Sequence, residues 1–368
     1  MSYREVLYGE EAVILKLRSL YETFGYKKYS MSKFEEYDLY LENKSFLPSS
    51  NILAFHSPSG KLLALKPDIT LSIVKNAKGK AGAAERVYYA ENVYRASKDD
   101  HEIKEIMQVG LEYIGEVDTY ISGEVISLAV KSLRSISENY IVSVSHMGFV
   151  TGLIDEYGVS FSLREKLLRL ISDKNTHGIK ALCEEHKIDS RLYESLEVAC
   201  GICGDFESNL KKVEKIAVNS ATKAALDELR GIFSVVKALG AEENVVLDLS
   251  VLNTIDYYNG VIFQGFIEGV PCNILSGGRY DKLVEKLGKS GGAIGFAVYI
   301  DLIERYCKSD REYDVDVLVV YGGSDVQELA LKVAELTANG ESVSVVKNDD
   351  GSLKYRKKVV VQEVGVNG

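Results

Sequence analysis

The sequence contains little that would mark a secreted, membrane-embedded or nucleic-acid-binding protein. Its five cysteines are odd in number and scattered through 368 residues, which favours reduced thiols over a disulfide framework. No stretch approaches the roughly 18 consecutive apolar residues that a membrane-spanning helix requires. The opening segment MSYREVLYGEEAVILKLRSL is amphipathic and acidic in its first turns, unlike a secretory signal or a transit peptide. These absences predict a soluble, cytoplasmic protein.

Positive charge is also in deficit, with 44 Lys and Arg against 54 Asp and Glu, for a net charge of -10. The chain therefore lacks a global electrostatic footprint for nucleic acid, although a local basic groove is not excluded. The basic run at 354–358, KYRKK, is interpreted as a solvated turn rather than an RNA contact. Cys200 and Cys203 form one CxxC pair without a second pair to complete a zinc site, so no metal or cofactor is predicted.

The order of hydrophobic patterns predicts an α+β fold. Helical spacing runs over 11–24 and stops at Gly25, and short strand-like segments follow from 34 to 95. A helix is expected near 122–133, with Ser122 as its cap. Residues from about 150 to 240 are mainly helical, and strands resume after them. An antiparallel sheet flanked by helices, with a helical insertion at about 150–240, is therefore predicted for a body spanning 1–310.

A separate small module is predicted at 313–368, after the charged linker KSDREYD. Its order is strand, helix, strand, strand. The helix is expected to start at a capping Ser324 or Asp325 and to stop at Gly340. This α/β module is close to the lower size limit for independent folding.

Polar residues interrupt two otherwise apolar strand patterns in the body. In ALKPDIT, Asp68 and Thr70 lie two residues apart, which places both on one face if the segment is a strand. Farther along, Gln108, Gly110 and Glu112 share a face of another strand. Gly110 between the two polar residues is expected to leave room for a ligand.

Two further segments combine tyrosines with turn residues. In LNTIDYYNGVIFQGF, Tyr257 and Tyr258 precede an Asn-Gly turn, and in NILSGGRYDKL two glycines precede Arg279 and Tyr280. Taken singly, each of the four segments has a simpler interpretation: a strand-end turn, a solvated sheet face, or core rings with hydroxyls at the rim. Their order and spacing together are the informative feature.

This combination resembles the histidyl-tRNA synthetase family of class II enzymes. ALKPDIT is similar to the family's amino-acid-binding loop, VYRASKDDHEIKEIMQVGLE to its second signature motif, and GAIGFAVYIDLI to its third. The more specific matches are IDYYNGVIF and ILSGGRYDKL, which are similar to the two histidine motifs. The resemblance covers most of residues 1–310 and implies a class II synthetase-like sheet.

The resemblance also implies a pocket for free L-histidine. Charged donors in a partly dry site need acceptors, and three side chains would hold the ammonium: Asp68, Thr70 and Gln108. Glu112 and the hydroxyl of Tyr258 would meet the two imidazole nitrogens, and Tyr257 and Tyr280 would flank the ring. Binding at a subunit interface is the alternative left open.

The chain departs from the family where the enzyme handles ATP. Arg95 matches the first ATP-contacting arginine and is counted with the residues of the implied histidine pocket, but the other arginine positions carry Glu102, Asn253 and Leu302. Tyr299 stands where a glycine leaves room for the nucleotide. Because removal of one preorganised donor costs about 2.7–4 kcal/mol of transition-state stabilisation, the loss of three predicts almost no adenylation.

A closer resemblance is therefore to the family of ATP phosphoribosyltransferase regulatory subunits. It implies a non-catalytic chain that pairs with a short catalytic subunit condensing ATP with phosphoribosyl pyrophosphate, and that confers feedback inhibition by histidine. A homodimer within a hetero-oligomer is implied, although Ser32 replaces the usual proline of the dimer motif. The small module resembles the start of an anticodon-binding domain. The alternatives are a divergent active synthetase and a histidine sensor or tRNA-mimicking module with another partner.

Overall fold

A computed structural model describes seven segments of the chain: residues 9–47, 52–77, 84–96, 102–252, 257–303, 312–322 and 326–361. The chain divides into two compact units, one of Val13–Glu304 and one of Met1–Ala12 with Arg305–Gly368. In the described segments no helix is long and apolar enough to cross a membrane.

Fourteen strands lie in the described residues: β1 Lys27–Lys28, β2 Phe34–Glu36, β3 Ala54–His56, β4 Leu62–Leu65, β5 Glu85–Ala96, β6 Ile103–Gly115, β7 Tyr140–His146, β8 Val245–Leu247, β9 Val261–Ile267, β10 Leu275–Arg279, β11 Gly292–Tyr299, β12 Val315–Tyr321, β13 Val343–Val346 and β14 Tyr355–Val361. The larger unit contains an eight-stranded sheet in the order β1-β5-β6-β11-β10-β9-β7-β8. Only its outermost pairs, β1 with β5 and β7 with β8, are parallel. The predicted antiparallel sheet is thus confirmed for the central strands. A second sheet, β2-β4-β3, is antiparallel.

The described α-helices are α1 Gly9–Thr23, α2 Tyr37–Glu42, α3 Thr70–Asn76, α4 Thr119–Ile136, α5 Met147–Asp155, α6 Phe161–Ser172, α7 Thr176–Glu185, α8 Ser190–Cys200, α9 Phe206–Lys215, α10 Ser220–Ala238, α11 Asp281–Lys286 and α12 Val326–Ala338. Short 3₁₀ turns occupy Lys44–Phe46 and Ile300–Leu302. The first predicted helix is confirmed, and Gly25 follows it with a φ of 79°, a conformation that glycine adopts without strain.

Helix α4 begins earlier than its hydrophobic pattern predicts. Asp118 is the N-cap, and its Oδ1 accepts a hydrogen bond from the backbone N–H of Ile121 at 2.8 Å. The expectation that Ser122 caps this helix was wrong, because Ser122 is fully buried within the first turns and donates to the backbone oxygen of Asp118. Packing against the sheet overrides the local capping preference of serine.

Helices α5 to α10 fill the segment for which helical structure was predicted. Helix α10 starts with a capping box in which the side chains of Asn219 and Thr222 bond each other's backbone N–H groups. It packs against α4 and α5, and α4 in turn packs against β9 and β11 of the large sheet.

The register of three central strands determines which side chains share a face. Glu112 of β6 pairs with Gly295 of β11, and Gln108 pairs with Tyr299. Because alternate residues of a strand point to the same face, these residues project to one side of the sheet. A cluster of buried apolar side chains from β4, α3 and α11 covers that side.

The smaller unit contains a parallel three-stranded sheet, β13-β12-β14, and helix α12. Its core is formed by Val317, Val319, Leu336 and Val361. The proposed caps of α12, Ser324 and Asp325, lie outside the described residues. The basic run that was interpreted as a turn is largely part of β14, where Lys357 pairs with Glu341 and Lys358 with Asp349; the turn interpretation was therefore wrong.

Candidate functional site

A cavity of about 160 Å³ opens on the face of the sheet defined by β6 and β11. It is smaller than the 300–1,000 Å³ typical of sites for drug-sized ligands, so it suits a small metabolite. All eight residues predicted for the site line it: Asp68, Thr70, Arg95, Gln108, Glu112, Tyr257, Tyr258 and Tyr280. The structure therefore brings together residues that are as much as 212 positions apart in the sequence.

The local structure around Asp68 and Thr70 differs from the predicted strand. Strand β4 ends at Leu65, and Thr70 is the first residue of α3. The Asp68 Oδ1 atom accepts a hydrogen bond from the backbone N–H of Leu71 at 2.8 Å, as a helix-capping carboxylate does. Asp68 and Thr70 both reach the cavity because they lie at the start of α3. The prediction that they share the face of a strand was wrong.

Glu112 is the most connected polar residue of the cavity. Its Oε1 accepts a hydrogen bond from the hydroxyl of Thr70 at 2.7 Å, and its Oε2 accepts one from the hydroxyl of Tyr280 at 2.5 Å. The side chain is only 2% exposed. These contacts connect β6 with α3 and with the residue that precedes α11.

Burial changes the ionisation of the two carboxyl groups. Desolvation raises the pKa of Glu112 to about 8, although the hydrogen bonds from Tyr280 and Thr70 oppose the shift. Desolvation also raises the pKa of Asp68, against the backbone N–H of Leu71 and the positive charge of Arg95. Each carboxylate disfavours ionisation of the other, so the cavity favours a ligand that brings positive charge.

Arg95 is held at the edge of the cavity by the backbone. Its Nε–H donates to the carbonyl oxygen of Pro67 at 2.9 Å, next to Asp68. The guanidinium retains other N–H groups, which provide a fixed set of donors for an anionic group. The cavity thus contains a cation beside its acidic acceptors, close enough for the charge of Arg95 to lower the pKa of Asp68.

Three tyrosine rings form an aromatic wall. The centroids of Tyr257 and Tyr258 are 4.8 Å apart at 78°, and those of Tyr257 and Tyr280 are 5.4 Å apart at 39°. Phe46, which also lines the cavity, packs against Tyr257 with centroids 6.2 Å apart. Such edge and tilted packing is favourable and fixes the ring planes.

Two glycines are required by close packing around the cavity. A Cβ atom on Gly110 would overlap the hydroxyl of Tyr89 and the carbonyl oxygen of Phe296. The space beside Gly110 is therefore filled by the protein itself, and the expectation that it leaves room for a ligand was wrong. A Cβ atom on Gly295 would overlap the carboxylate of Glu112, so that glycine lets the carboxylate occupy its position.

Sequence reasoning missed several residues that line the cavity, among them Tyr89 and Ser276. Tyr89 pairs with Gly110 across β5 and β6, and Ser276 pairs with Ala297 across β10 and β11. No motif marked them, and only the register of the strands could have found them.

An open cleft of about 710 Å³ lies beside the cavity and includes Tyr299 and Leu302, two of the positions interpreted above as departures from the synthetases, together with Asp301. Tyr299 lines both spaces. The backbone N–H of Met107 donates to both carboxylate oxygens of Asp301, at 3.1 and 3.0 Å. Glu102 precedes β6, and Asn253 lies outside the described residues.

The CxxC pair lies away from the cavity, in the helical segment. Cys200 ends α8, and burial raises the pKa of its thiol to about 11, so the thiolate that metals prefer is disfavoured. No group of three or more potential metal-ligating side chains occurs among the described residues.

The sheet, the helical segment and the aromatic cavity define a class II synthetase-like protein with a histidyl-tRNA synthetase body. A family profile described as histidyl-tRNA synthetase matches residues 7–303. An ATP phosphoribosyltransferase regulatory subunit from Acetivibrio thermocellus is 31% identical over 360 residues, which cover 95% of this chain and 86% of that protein. The chain belongs to the histidyl-tRNA synthetase-like family of ATP phosphoribosyltransferase regulatory subunits.

Solved structures agree with this fold. A protein from Bacillus halodurans described as an ATP phosphoribosyltransferase regulatory subunit/histidyl-tRNA synthetase superposes with a TM-score of 0.82 at 24% identity, covering 96% of this chain and 94% of that one. A chain of the ATP phosphoribosyl transferase complex from Thermotoga maritima superposes with a TM-score of 0.63 at 22% identity, covering 79% and 97%.

Proposed function

We propose that this chain is the non-catalytic regulatory subunit of an ATP phosphoribosyltransferase and that it binds free L-histidine in the cavity described above. The names of its relatives support the first part. The observation that carries the second part is the cavity itself, in which two buried carboxyl groups, one arginine and three tyrosines converge.

The charge balance of the cavity fits an amino acid with a basic side chain. Asp68 and Glu112 outnumber Arg95, so a ligand with an ammonium, a carboxylate and a second nitrogen-bearing group is favoured. Burial makes ionisation of these two carboxyl groups unfavourable, and a cationic ligand offsets part of that cost. Histidine has the required groups and is small enough for a cavity of about 160 Å³.

In this proposal each end of the ligand meets a different set of residues. The ammonium is bound by Asp68, Thr70 and Gln108. The hydroxyl of Thr70 donates a hydrogen bond to Glu112. The lone pairs of the Thr70 oxygen can therefore accept a hydrogen bond from the ammonium. Arg95 binds the ligand carboxylate.

The imidazole is read by Glu112 and the hydroxyl of Tyr258, with Tyr257 and Tyr280 against the ring. Glu112 already accepts two hydrogen bonds, but an ionised carboxylate has about four acceptor sites and can accept a third. An N–H of imidazole therefore finds an acceptor without displacing Thr70 or Tyr280.

The same chain is not equipped for adenylation in this proposal. Leu302 and Glu102 stand where the synthetases place ATP-contacting arginines, and Asn253 replaces a third. Without these donors the developing charge on the α-phosphate lacks stabilisation. A histidine-binding body without an ATP clamp suits a sensor of histidine concentration.

Regulation then works through a cytoplasmic hetero-oligomer with a short catalytic subunit, in which this chain is present as a homodimer. Histidine bound to this chain shifts the assembly toward a less active state, with a coupling free energy of roughly 1–3 kcal/mol as in other allosteric systems. The complex described for the Thermotoga maritima protein supports such a partner.

The test is reconstitution with a short-form catalytic subunit. Phosphoribosyltransferase activity should rise when this chain is added and should fall when histidine is added. The Glu112→Gln variant should still raise activity but should require at least tenfold more histidine for inhibition. Identical activity and histidine sensitivity with and without the chain would refute the regulatory role, and normal inhibition with the variant would place histidine elsewhere.

The divergent-synthetase alternative makes an opposite prediction. It requires histidine-dependent ATP–pyrophosphate exchange by the chain alone. We expect none above the background of a preparation without enzyme.

A further inference from the structure

A second cavity, of about 200 Å³, lies on the other side of Tyr258 from the candidate histidine site. Its walls come from α5, α6, the turn at Tyr258–Asn259 and the first turn of α11. Tyr258 lines both cavities, so one side chain separates the two spaces. The two histidine motifs contribute Tyr258, Asn259 and Lys282 to this second cavity, but its other walls come from helices that no motif marked.

The charged residues of the second cavity are mainly basic. Arg164, Arg169 and Lys282 line it, against one acidic residue, Glu165. Arg164 also pairs with Asp155, which lies outside the cavity, at 3.4 Å. A guanidinium has five N–H donors, so this one contact leaves most of them available. Because the whole chain has a net charge of -10, this local excess of positive charge runs against the composition. It also contrasts with the first cavity, where carboxyl groups prevail.

The remaining lining is apolar. Met147 is buried at the base, and Leu168 and the exposed ring of Phe161 are on the α6 side. A ligand that fits both parts has an anionic group and a compact apolar body. Two guanidinium groups and one ammonium line the cavity beside one carboxylate, while Asp155 pairs with Arg164 from outside it. Several cationic groups match a phosphate dianion better than a single carboxylate group on the ligand, and arginine forks suit phosphate oxygens in geometry.

We propose that this second cavity is a binding site for a small phosphorylated ligand, with Arg164, Arg169 and Lys282 as its phosphate-binding residues. The site does not depend on the proposed histidine binding, because it shares only Tyr258 with that cavity. Its volume of about 200 Å³ favours a small molecule over a segment of a partner protein.

Isothermal titration calorimetry of the full chain with inorganic pyrophosphate tests the proposal. We expect saturable binding that the double variant Arg169→Gln, Lys282→Gln weakens at least tenfold. Both residues are at the cavity margin, and Arg169 is exposed, so the fold should survive their replacement. The Glu165→Gln variant, which removes the acidic lining residue, should bind pyrophosphate several-fold more tightly.

The matched control is Lys166→Gln, which removes one exposed positive charge from the same helix without touching the cavity. It should leave pyrophosphate affinity within twofold. Absence of saturable binding, or equal weakening by the control and the double variant, would overturn the proposal. Loss of pyrophosphate binding in an Arg95→Gln variant of the first cavity would also overturn it, because the probe would then be bound by the cation of the other site.

Discussion

The candidate histidine cavity and the open cleft beside it share Tyr299 but differ in almost every other property. In the cavity, Asp68, Gln108 and Glu112 are each less than 9% exposed and point toward one small space. In the cleft, Leu302 is 37% exposed, and the carboxylate of Asp301 accepts from the backbone of β6. Polar side chains that can bind a ligand are concentrated in the cavity, whereas the carboxylate of Asp301 in the cleft is bonded to the protein backbone.

This difference indicates how a synthetase-like body can act as a sensor. A buried carboxyl group disfavours its own ionised form, and a ligand cation that enters the cavity removes part of that penalty. The cleft offers a triphosphate little comparable gain, because its one cationic side chain, Lys104, is outnumbered by the acidic side chains of Glu105 and Asp301. The proposed function therefore treats binding of an amino acid and activation of ATP as separable functions of one fold.

The largest expected difference between the two regions concerns pH. The pKa of Glu112 rises from about 4.5 to about 8 in the folded protein, so between these values the folded state holds a proton that the unfolded chain has released. The free energy of unfolding should therefore fall as pH rises through this window, by up to about 5 kcal/mol from this group. Denaturant titrations of the Glu112→Gln variant at several pH values should show a smaller decline, the remainder coming from Asp68, whose pKa burial also raises.

The matched control for that measurement is Glu105→Gln in the cleft. Glu105 is exposed, and hydrogen bonds from Tyr94 and Asn92 lower its pKa, so its removal should leave the decline between pH 4.5 and 8 in place. If both variants followed the parent protein across the window, Glu112 would not be the buried acid that the geometry requires.

Much of the cavity was predictable from sequence, for reasons that differ between residues. The two-residue repeat of a β-strand correctly predicted that Gln108 and Glu112 share one face, because β6 is a regular strand. The same rule failed for Asp68 and Thr70, where a carboxylate caps a helix and the chain leaves the strand geometry. Tyr89 and Ser276 depend on pairing between distant strands, which no local pattern encodes.

A second prediction disrupts the cavity without changing any charge. In Gly295→Ala, the added methyl group would overlap the carboxylate of Glu112 and the backbone oxygen of Leu111, so the strand or the carboxylate must move. Histidine affinity should fall at least about hundredfold, or about 2.7 kcal/mol, and stability by about 1–3 kcal/mol. Calorimetry and thermal unfolding measure both effects.

Gly322→Ala is the matched control, because a Cβ atom at that glycine meets open space. It should bind histidine like the parent protein. Unchanged histidine affinity in Gly295→Ala would mean that the ligand does not contact Glu112.

A third, smaller effect is expected from a single hydroxyl group. Tyr258→Phe keeps the aromatic wall and removes one hydrogen-bonding partner of the imidazole, which should weaken histidine binding about tenfold. Tyr193→Phe, which removes an exposed hydroxyl bonded to Glu197, controls for nonspecific effects. Equal affinities of the two variants in calorimetry would show that Tyr258 does not contact the ligand.

The smallest expected effect comes from restoring one arginine to the cleft. Leu302→Arg returns the cation of the third synthetase motif to an exposed position, where its effect on stability should be within about 0.5 kcal/mol. It should not produce histidine-dependent ATP–pyrophosphate exchange, because the other two arginine positions still carry Glu102 and Asn253. Each missing donor costs about 2.7–4 kcal/mol, so one replacement leaves most of the deficit in place. Measurable exchange by this variant would mean that a single side chain separates sensing from catalysis in this chain. The difference in ligand binding between the cavity and the cleft would then be much smaller than their lining residues indicate.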